Sequence, residues 1–106
     1  MLQSEHDIQA AIRLALSEYA MVFRVNVGRW KSEDGRFVST GVPVGFSDLF
    51  GYRYSDGKAF FIEVKKSNGK ISIEQQRFIN AMKKGGALAD VARSVEDALG
   101  IIGVTT

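Results

Sequence analysis

The sequence contains no cysteine, a single proline (Pro43) and a single histidine (His6). Without thiols, the chain can form neither disulfide bonds nor thiolate metal sites. It also lacks an apolar run close to the ~20 residues that a membrane-spanning helix requires, and its first residues are not typical of a signal peptide. We therefore expect an intracellular protein that does not associate with a membrane.

The length of 106 residues is enough for one hydrophobic core but not for two, so we expect a single domain over residues 1–106. Hydrophobic residues make up 45% of the chain and charged residues 25%, as is ordinary for a globular domain. Positive charge is concentrated in residues 24–84, which carry twelve Lys or Arg and six Asp or Glu. This basic region is compatible with a polyanionic partner, although a basic surface also serves solubility.

Hydrophobic periodicity and turn signals predict seven elements in the order α-β-β-β-α-β-α. Ser4 is a good N-cap for the first helix, and Ser72 with Gln75 forms an S-x-x-Q capping box for the second. We expect an α/β fold in which a mixed central β-sheet is flanked by helices. The predicted helices cover residues 4–20, 72–84 and 94–102, the predicted strands cover 21–27, 48–54, 58–66 and 87–92, and residues 28–47 are predicted to be irregular.

The central hairpin places charged side chains among apolar ones. Asp56-Gly57 is typical of a two-residue turn, and such a turn sets Asp48 opposite Lys65. Because side chains alternate along a strand and opposed residues share a face, Asp48, Glu63 and Lys65 are predicted to lie on one face. Asp48 and Glu63 are then diagonal neighbours, about 7–8 Å apart at Cα.

Two carboxylates at this separation can hold a divalent cation such as Mg²⁺, which prefers oxygen ligands. The alternative is a structural salt bridge in which Asp48 and Glu63 neutralise Lys65. The apolar composition of both strands favours a partly covered face, where such a trio is costly without an ion. A third carboxylate, Glu5, belongs to the apolar stripe of the first helix, although the positive end of that helix would also favour it.

Four segments in this order resemble the VRR-NUC domain family of the PD-(D/E)xK nuclease superfamily. They read SEHDIQ, VGFSDLFG, FIEVKK and ISIEQQRF, and the later GGALADVARSVEDAL is similar to the last strand and helix of the family. The resemblance covers nearly the whole chain. One departure is Ser47, which stands where the family often has a proline before the aspartate. The short length is similar to that of the stand-alone phage and bacterial members.

The resemblance implies a structure-specific endonuclease that depends on Mg²⁺ or Mn²⁺ and cuts branched DNA such as Holliday junctions. It implies metal ligands at Asp48, Glu63 and the backbone carbonyl of Val64, with Glu5 holding a metal-bound water or a second ion. It also implies a homodimer in the cytoplasm of a bacterium or of a phage-infected host cell.

Three catalytic residues are implied by the same resemblance: Lys65, Gln75 and Glu5. Lys65 would orient the attacking water or stabilise the developing negative charge. Gln75 would position Lys65 or the scissile phosphate, unless it serves only the capping box.

Basic residues of the central region are the candidates for contacts with DNA phosphates, which give affinity without sequence readout. Trp30 could stack on a base, or it could cover the edge of the core. Two other functions stay open, namely a non-catalytic nucleic-acid-binding module with a nuclease fold and a nuclease subunit that depends on a partner protein. The predicted phosphate contacts are Lys66, Lys70, Arg24, Arg29 and Lys31.

Overall fold

The computed structural model describes residues 3–25, 29–31, 33, 37–39 and 41–105. This part of the chain contains three helices and six strands, and none of the helices described is long and apolar enough to cross a membrane. The helices are α1 (Glu5–Leu16), α2 (Ile73–Lys84) and α3 (Val95–Ile101). The strands are β1 (Ala20–Arg24), β2 (Arg29–Lys31), β3 (Phe37–Ser39), β4 (Leu49–Arg53), β5 (Ala59–Val64) and β6 (Leu88–Ala92).

The main sheet has four strands in the order β1-β4-β5-β6. The β1–β4 and β4–β5 pairs are antiparallel, whereas β5 and β6 are parallel and are connected through α2. This mixed sheet with its helices confirms the predicted α/β fold. The second sheet, formed by β2 and β3, was not predicted, because three-residue strands carry too little alternation to be separated from a polar loop.

The hydrophobic core lies on the face of the main sheet that α1 and α3 cover. The apolar stripe of α1 buries Ile8, Ile12 and Leu16. These side chains pack into one cluster with buried residues of β4 and β5, among them Leu49 and Phe60. The helix is shorter than predicted, because it ends at Leu16 and the strand already begins at Ala20.

The opposite face of the sheet carries a row of aromatic rings from neighbouring strands. Phe23, Phe50 and Phe61 lie side by side in the strand register. The ring centroids of Phe23 and Phe50 are 5.2 Å apart, and Phe61 contacts Phe78 of α2 at 5.5 Å. Helix α2 therefore covers the β5–β6 side of this face, while Phe23 in the edge strand β1 stays 45% exposed.

The hairpin between β4 and β5 has a longer turn than predicted, and its register is shifted by two residues. Phe50 pairs with Phe61, because four residues, 54–57, lie between Arg53 and Lys58, which close the turn. The turn is closed by hydrogen bonds from the Arg53 N–H to the Lys58 carbonyl (3.0 Å) and from the Gly57 N–H to the Arg53 carbonyl (2.8 Å). A shift by an even number keeps every side chain on its predicted face.

Replacing Gly45 by alanine should destabilise the fold more than the same change at Gly57. Both glycines have positive φ angles, +92° and +73°. An L-residue in such a conformation costs about 1–2 kcal/mol. A methyl group on Gly45 would also lie 2.4 Å from the carbonyl oxygen of Glu74 in α2, whereas the corresponding position on Gly57 is open.

The free energy of unfolding in urea should be measured for both alanine variants. Gly57→Ala is the control for the cost of placing an L-residue at a positive φ angle. The difference between the two variants reports the packing of residues 41–47 on the first turn of α2. Equal losses would contradict that contact.

Candidate active site

The ends of β4 and β5 bring Asp48 and Glu63 together. Continuing the observed register by one pair places Asp48 directly opposite Glu63, closer than the diagonal arrangement that was predicted. The Asp48 N–H donates to Glu63 Oε1 at 3.2 Å, and the Val64 N–H donates to Asp48 Oδ2 at 2.9 Å. The Glu63 side chain is only 3% exposed. Two carboxyl groups thus face each other, that of Glu63 buried and that of Asp48 half-buried.

The proximity and burial of these carboxyl groups shift their ionisation. Burial raises the pKa of Glu63 to about 8, and the negative charge of Asp48 acts in the same direction. Burial also raises the pKa of Asp48, while the hydrogen bond from the Val64 N–H opposes that increase. Without a cation, the pair therefore favours a state in which at most one of the two carboxyl groups is ionised.

Lys65 follows β5 and lies on the same side as Glu63. Its Nζ is 3.9 Å from Glu63 Oε2, and its side chain is 14% exposed. Such a distance corresponds to an ion pair without a direct hydrogen bond. In the part of the chain that the structure describes, Lys65 forms no ion pair with Asp48, so the salt-bridge interpretation accounts for only one of the two carboxylates.

Gln75 completes the cap of α2 and also contacts Glu63. Its Oε1 accepts from the Ser72 N–H at 2.9 Å, and its own N–H donates to Ser72 Oγ at 3.1 Å, which completes the capping box of α2. Its Nε2 donates to Glu63 Oε2 at 2.8 Å. The residue that Gln75 contacts is therefore Glu63 and not Lys65.

Glu5 lies at the start of α1, beside the segment that follows β5. A Cβ placed on Gly69 would be 3.0 Å from Glu5 Oε2 and 3.5 Å from the Lys65 Cβ. The charge of Glu5 contributes, as the smallest of several causes, to raising the pKa of Asp48. Among the described residues, however, no three Asp, Glu or His side chains are arranged to hold one ion, so Glu5 flanks the carboxylate pair and does not complete a three-carboxylate cluster.

Ser47, the residue at the position of the family's proline, is completely buried. Its hydroxyl has no hydrogen-bond partner among the described residues. A buried hydroxyl without a partner is unfavourable by about 1–3 kcal/mol. Ser47 therefore forms no side-chain hydrogen bond that a proline at this position would lose.

The predicted phosphate contacts fall into two groups. Lys66 and Lys70 are exposed in the segment that follows β5, immediately beyond Lys65. Arg24 is exposed at the end of β1, where the next residue, Val25, donates to the Asp48 carbonyl at 2.8 Å. The structure therefore brings these three predicted contacts to the end of the sheet that carries the site. The side chains of Arg29, Lys31 and Trp30 lie outside the described part of the chain.

One residue near the site was missed by the sequence analysis. Arg93 follows β6, and its Nη1 donates to the carbonyls of Lys66 (2.7 Å) and Gly69 (2.8 Å). The only signal available in the sequence was topological. Residues that follow two adjacent parallel strands meet at the same edge of the sheet.

Comparison with known proteins gives a consistent result for family and fold. The VRR-NUC domain family matches residues 4–96. Among solved structures, one described as a "VRR_NUC domain" has a TM-score of 0.65 and 23% identity, covering 94% of this chain and 96% of its own. Another, described as a "VRR_NUC domain protein", has a TM-score of 0.67 and 20% identity, covering 96% and 87%. The comparison with curated proteins found no match.

The two solved structures are too distant in sequence to show more than the fold. The family match extends from the N-cap of α1 into α3 and includes every residue of the site described above. The chain therefore belongs to the VRR-NUC family and has the fold of a nuclease-type domain.

Proposed function

We propose that the protein is a metal-dependent endonuclease that hydrolyses phosphodiester bonds in branched DNA. The observation that supports this function is the facing pair of a half-buried Asp48 and a buried Glu63, which neutral donors orient. Two carboxylates repel each other and also repel a phosphate group. A protein that only binds nucleic acid has no use for such a pair, whereas a divalent cation between them removes both repulsions.

The donor set fits a hard cation such as Mg²⁺ or Mn²⁺, because it consists of carboxylate oxygens on closely spaced strands. Asp48, Glu63 and the carbonyl of Val64 would hold the ion, and Glu5 would reach it through water. When bound, the ion would act as a Lewis acid toward a phosphate oxygen and lower the pKa of an attacking water.

The remaining residues of the site would act on the reacting atoms or on the ligands. Lys65 carries its ammonium group on the face of the carboxylate pair, where it can donate to the attacking water or to the phosphoryl oxygen that gains negative charge. Gln75 would hold Glu63 in its orientation through the 2.8 Å hydrogen bond.

The proposed substrate is branched DNA, and the proposed active unit is a homodimer. Contacts from Lys66, Lys70 and Arg24 to phosphates would provide affinity without reading bases, so discrimination would depend on the shape of the DNA. Two symmetric cuts in a four-way junction suit a two-fold assembly of one-site chains. The exposed side chains of Met21 and Phe23 in the edge strand β1 offer an apolar surface for the second copy.

The experiment that tests this function compares cleavage of four-way junction, flap, duplex and single-stranded DNA in Mg²⁺, Mn²⁺ and EDTA. We expect cleavage of branched DNA in either metal and none in EDTA. Light scattering should give the mass of two chains. Cleavage that appears only after a cell extract is added would instead indicate a subunit that depends on a partner protein.

Asp48→Asn and Glu63→Gln should each abolish cleavage in Mg²⁺. DNA binding in Ca²⁺ should be unchanged or tighter, because one negative charge near the phosphate is removed. Mg²⁺ should raise the melting temperature of the wild type but not of either variant. The control is Glu18→Gln after α1, which removes an exposed carboxylate at the other end of the sheet. Wild-type cleavage by either site variant would exclude this metal site.

Lys65→Ala should remain folded and should still bind DNA. The substitution removes one ion pair whose 3.9 Å separation is too long for a direct hydrogen bond, so little stability depends on it. Its single-turnover cleavage rate should fall by roughly 10²–10³, the scale for the loss of one preorganised stabilising group. Lys58→Ala, at the far end of β5, is the matched control. A structural salt bridge predicts the opposite outcome, in which stability falls and the cleavage rate of the surviving folded protein does not.

Gln75→Ala and Ser72→Ala separate the helix cap from the support of Glu63. Both variants lose the capping box and should lose about 0.5–2 kcal/mol of unfolding free energy. Only Gln75→Ala also removes the donor to Glu63, so only this variant should need more metal for half-maximal cleavage, by about 10–100-fold. The same metal requirement in both variants would return Gln75 to a purely capping role.

A further inference from the structure

The side chain of Arg93 contacts the turn that begins at Lys66 and precedes Lys70. Residues 66–69 form a tight turn that is closed by a hydrogen bond from the Gly69 N–H to the Lys66 carbonyl at 2.9 Å. Arg93 Nη1 donates to both ends of this turn, to the Lys66 carbonyl at 2.7 Å and to the Gly69 carbonyl at 2.8 Å. The Ser67 carbonyl lies at 3.5 Å from the same nitrogen.

Arg93 is itself fixed by the start of α3. Its backbone N–H donates to Asp97 Oδ2 at 2.9 Å, and the Asp97 N–H donates to Ser94 Oγ, the N-cap of α3, at 3.1 Å. The Arg93 side chain therefore extends from a backbone position that is fixed at the end of β6. A planar guanidinium loses little conformational freedom per hydrogen bond, which suits it to bind several carbonyls at once.

The turn carries exposed positive charge that is available to an external partner. Lys66 and Lys70 are exposed on either side of it, and Arg93 adds a third cation. In the described part of the chain, neither lysine is in an ion pair, and the guanidinium contacts carbonyls rather than a carboxylate. The hydrogen bonds from Arg93 fix the backbone between Lys66 and Lys70, so they restrict where the two ammonium groups can lie.

We propose that Arg93 is a positioning residue, which acts on DNA through the turn of residues 66–69 and sets the positions of Lys66 and Lys70 for contact with phosphates. This inference rests on the proposed nuclease function. The turn also lies beside Glu5, since a Cβ built on Gly69 would be 3.0 Å from Glu5 Oε2, so the clamp holds the turn next to the start of α1.

The test measures DNA binding in Ca²⁺ as a function of salt for four proteins: wild type, Arg93→Ala, the double variant Lys66→Ala/Lys70→Ala, and the triple variant. The slope of log affinity against log salt should decrease by about one for each lysine that loses its phosphate. We expect the same decrease for Arg93→Ala as for the double variant, and no additional decrease in the triple variant. An additional loss in the triple variant would show that Arg93 contacts DNA itself, which overturns the inference.

Arg53 provides the matched control, because its Nη1 donates to the Ile102 carbonyl at 3.2 Å at the other end of the sheet. Arg53→Ala should lower stability without changing the salt slope. If Arg93→Ala behaves in the same way, its role is structural only and the inference fails. Arg93→Lys can reach the carbonyl of Lys66 or that of Gly69 but not both. Its salt slope should therefore lie between those of Arg93→Ala and the wild type.

Hydrogen exchange separates this inference from the proposed function. The Gly69 amide should exchange faster in Arg93→Ala than in wild type, and at the wild-type rate in Arg53→Ala. This readout requires neither DNA nor cleavage. If Gly69 exchanges faster in Arg93→Ala but the wild type does not cut DNA, the clamp is supported and the proposed function is overturned. If Gly69 exchange is unchanged in Arg93→Ala, the clamp alone is overturned.

Discussion

The burial of two facing carboxyl groups, those of Asp48 and Glu63, is the constraint on which the rest of the site depends. Removing one carboxylate from water is unfavourable, and a second beside it makes ionisation of both harder still. The chain surrounds the pair with neutral donors: the N–H groups of Asp48 and Val64, and the amide of Gln75. The ammonium of Lys65 remains 3.9 Å away. Such donors orient the carboxylates without cancelling their charge, so the pair retains the capacity to bind a cation.

Strand β5 links this pair to the hydrophobic core, because its side chains alternate between the two faces of the sheet. Phe60, Ile62 and Val64 are buried in the core cluster, while Glu63 lies between them on the opposite face. A slip of this strand by one residue would bury the charge in the core and expose the apolar side chains. The same packing that stabilises the fold therefore holds Glu63 opposite Asp48, and the site needs no separate scaffold.

The helices, the mixed sheet and the common face of Asp48 and Glu63 could be predicted from the sequence, because each depends on a local periodicity. The register of the hairpin could not, since an Asp-Gly pair suits turns of two or four residues. The longer turn contains contacts of Asp56 with the Arg53 guanidinium and the Lys58 N–H, and an Asp-Gly pair by itself does not distinguish this turn from the shorter one. Contacts between distant elements, such as that of Arg93 with the turn after β5, leave still less trace in the sequence.

The chemistry of Gln75 explains why this position of α2 is a glutamine. A capping box accepts either glutamate or glutamine at the third helical position, because only an acceptor oxygen is needed. Here the same side chain must also donate to Glu63, whose pKa is already raised by burial and by Asp48. A glutamate would satisfy the Ser72 N–H but would direct a third negative charge at the pair. The helix cap alone leaves the choice open, whereas the carboxylate pair requires the amide.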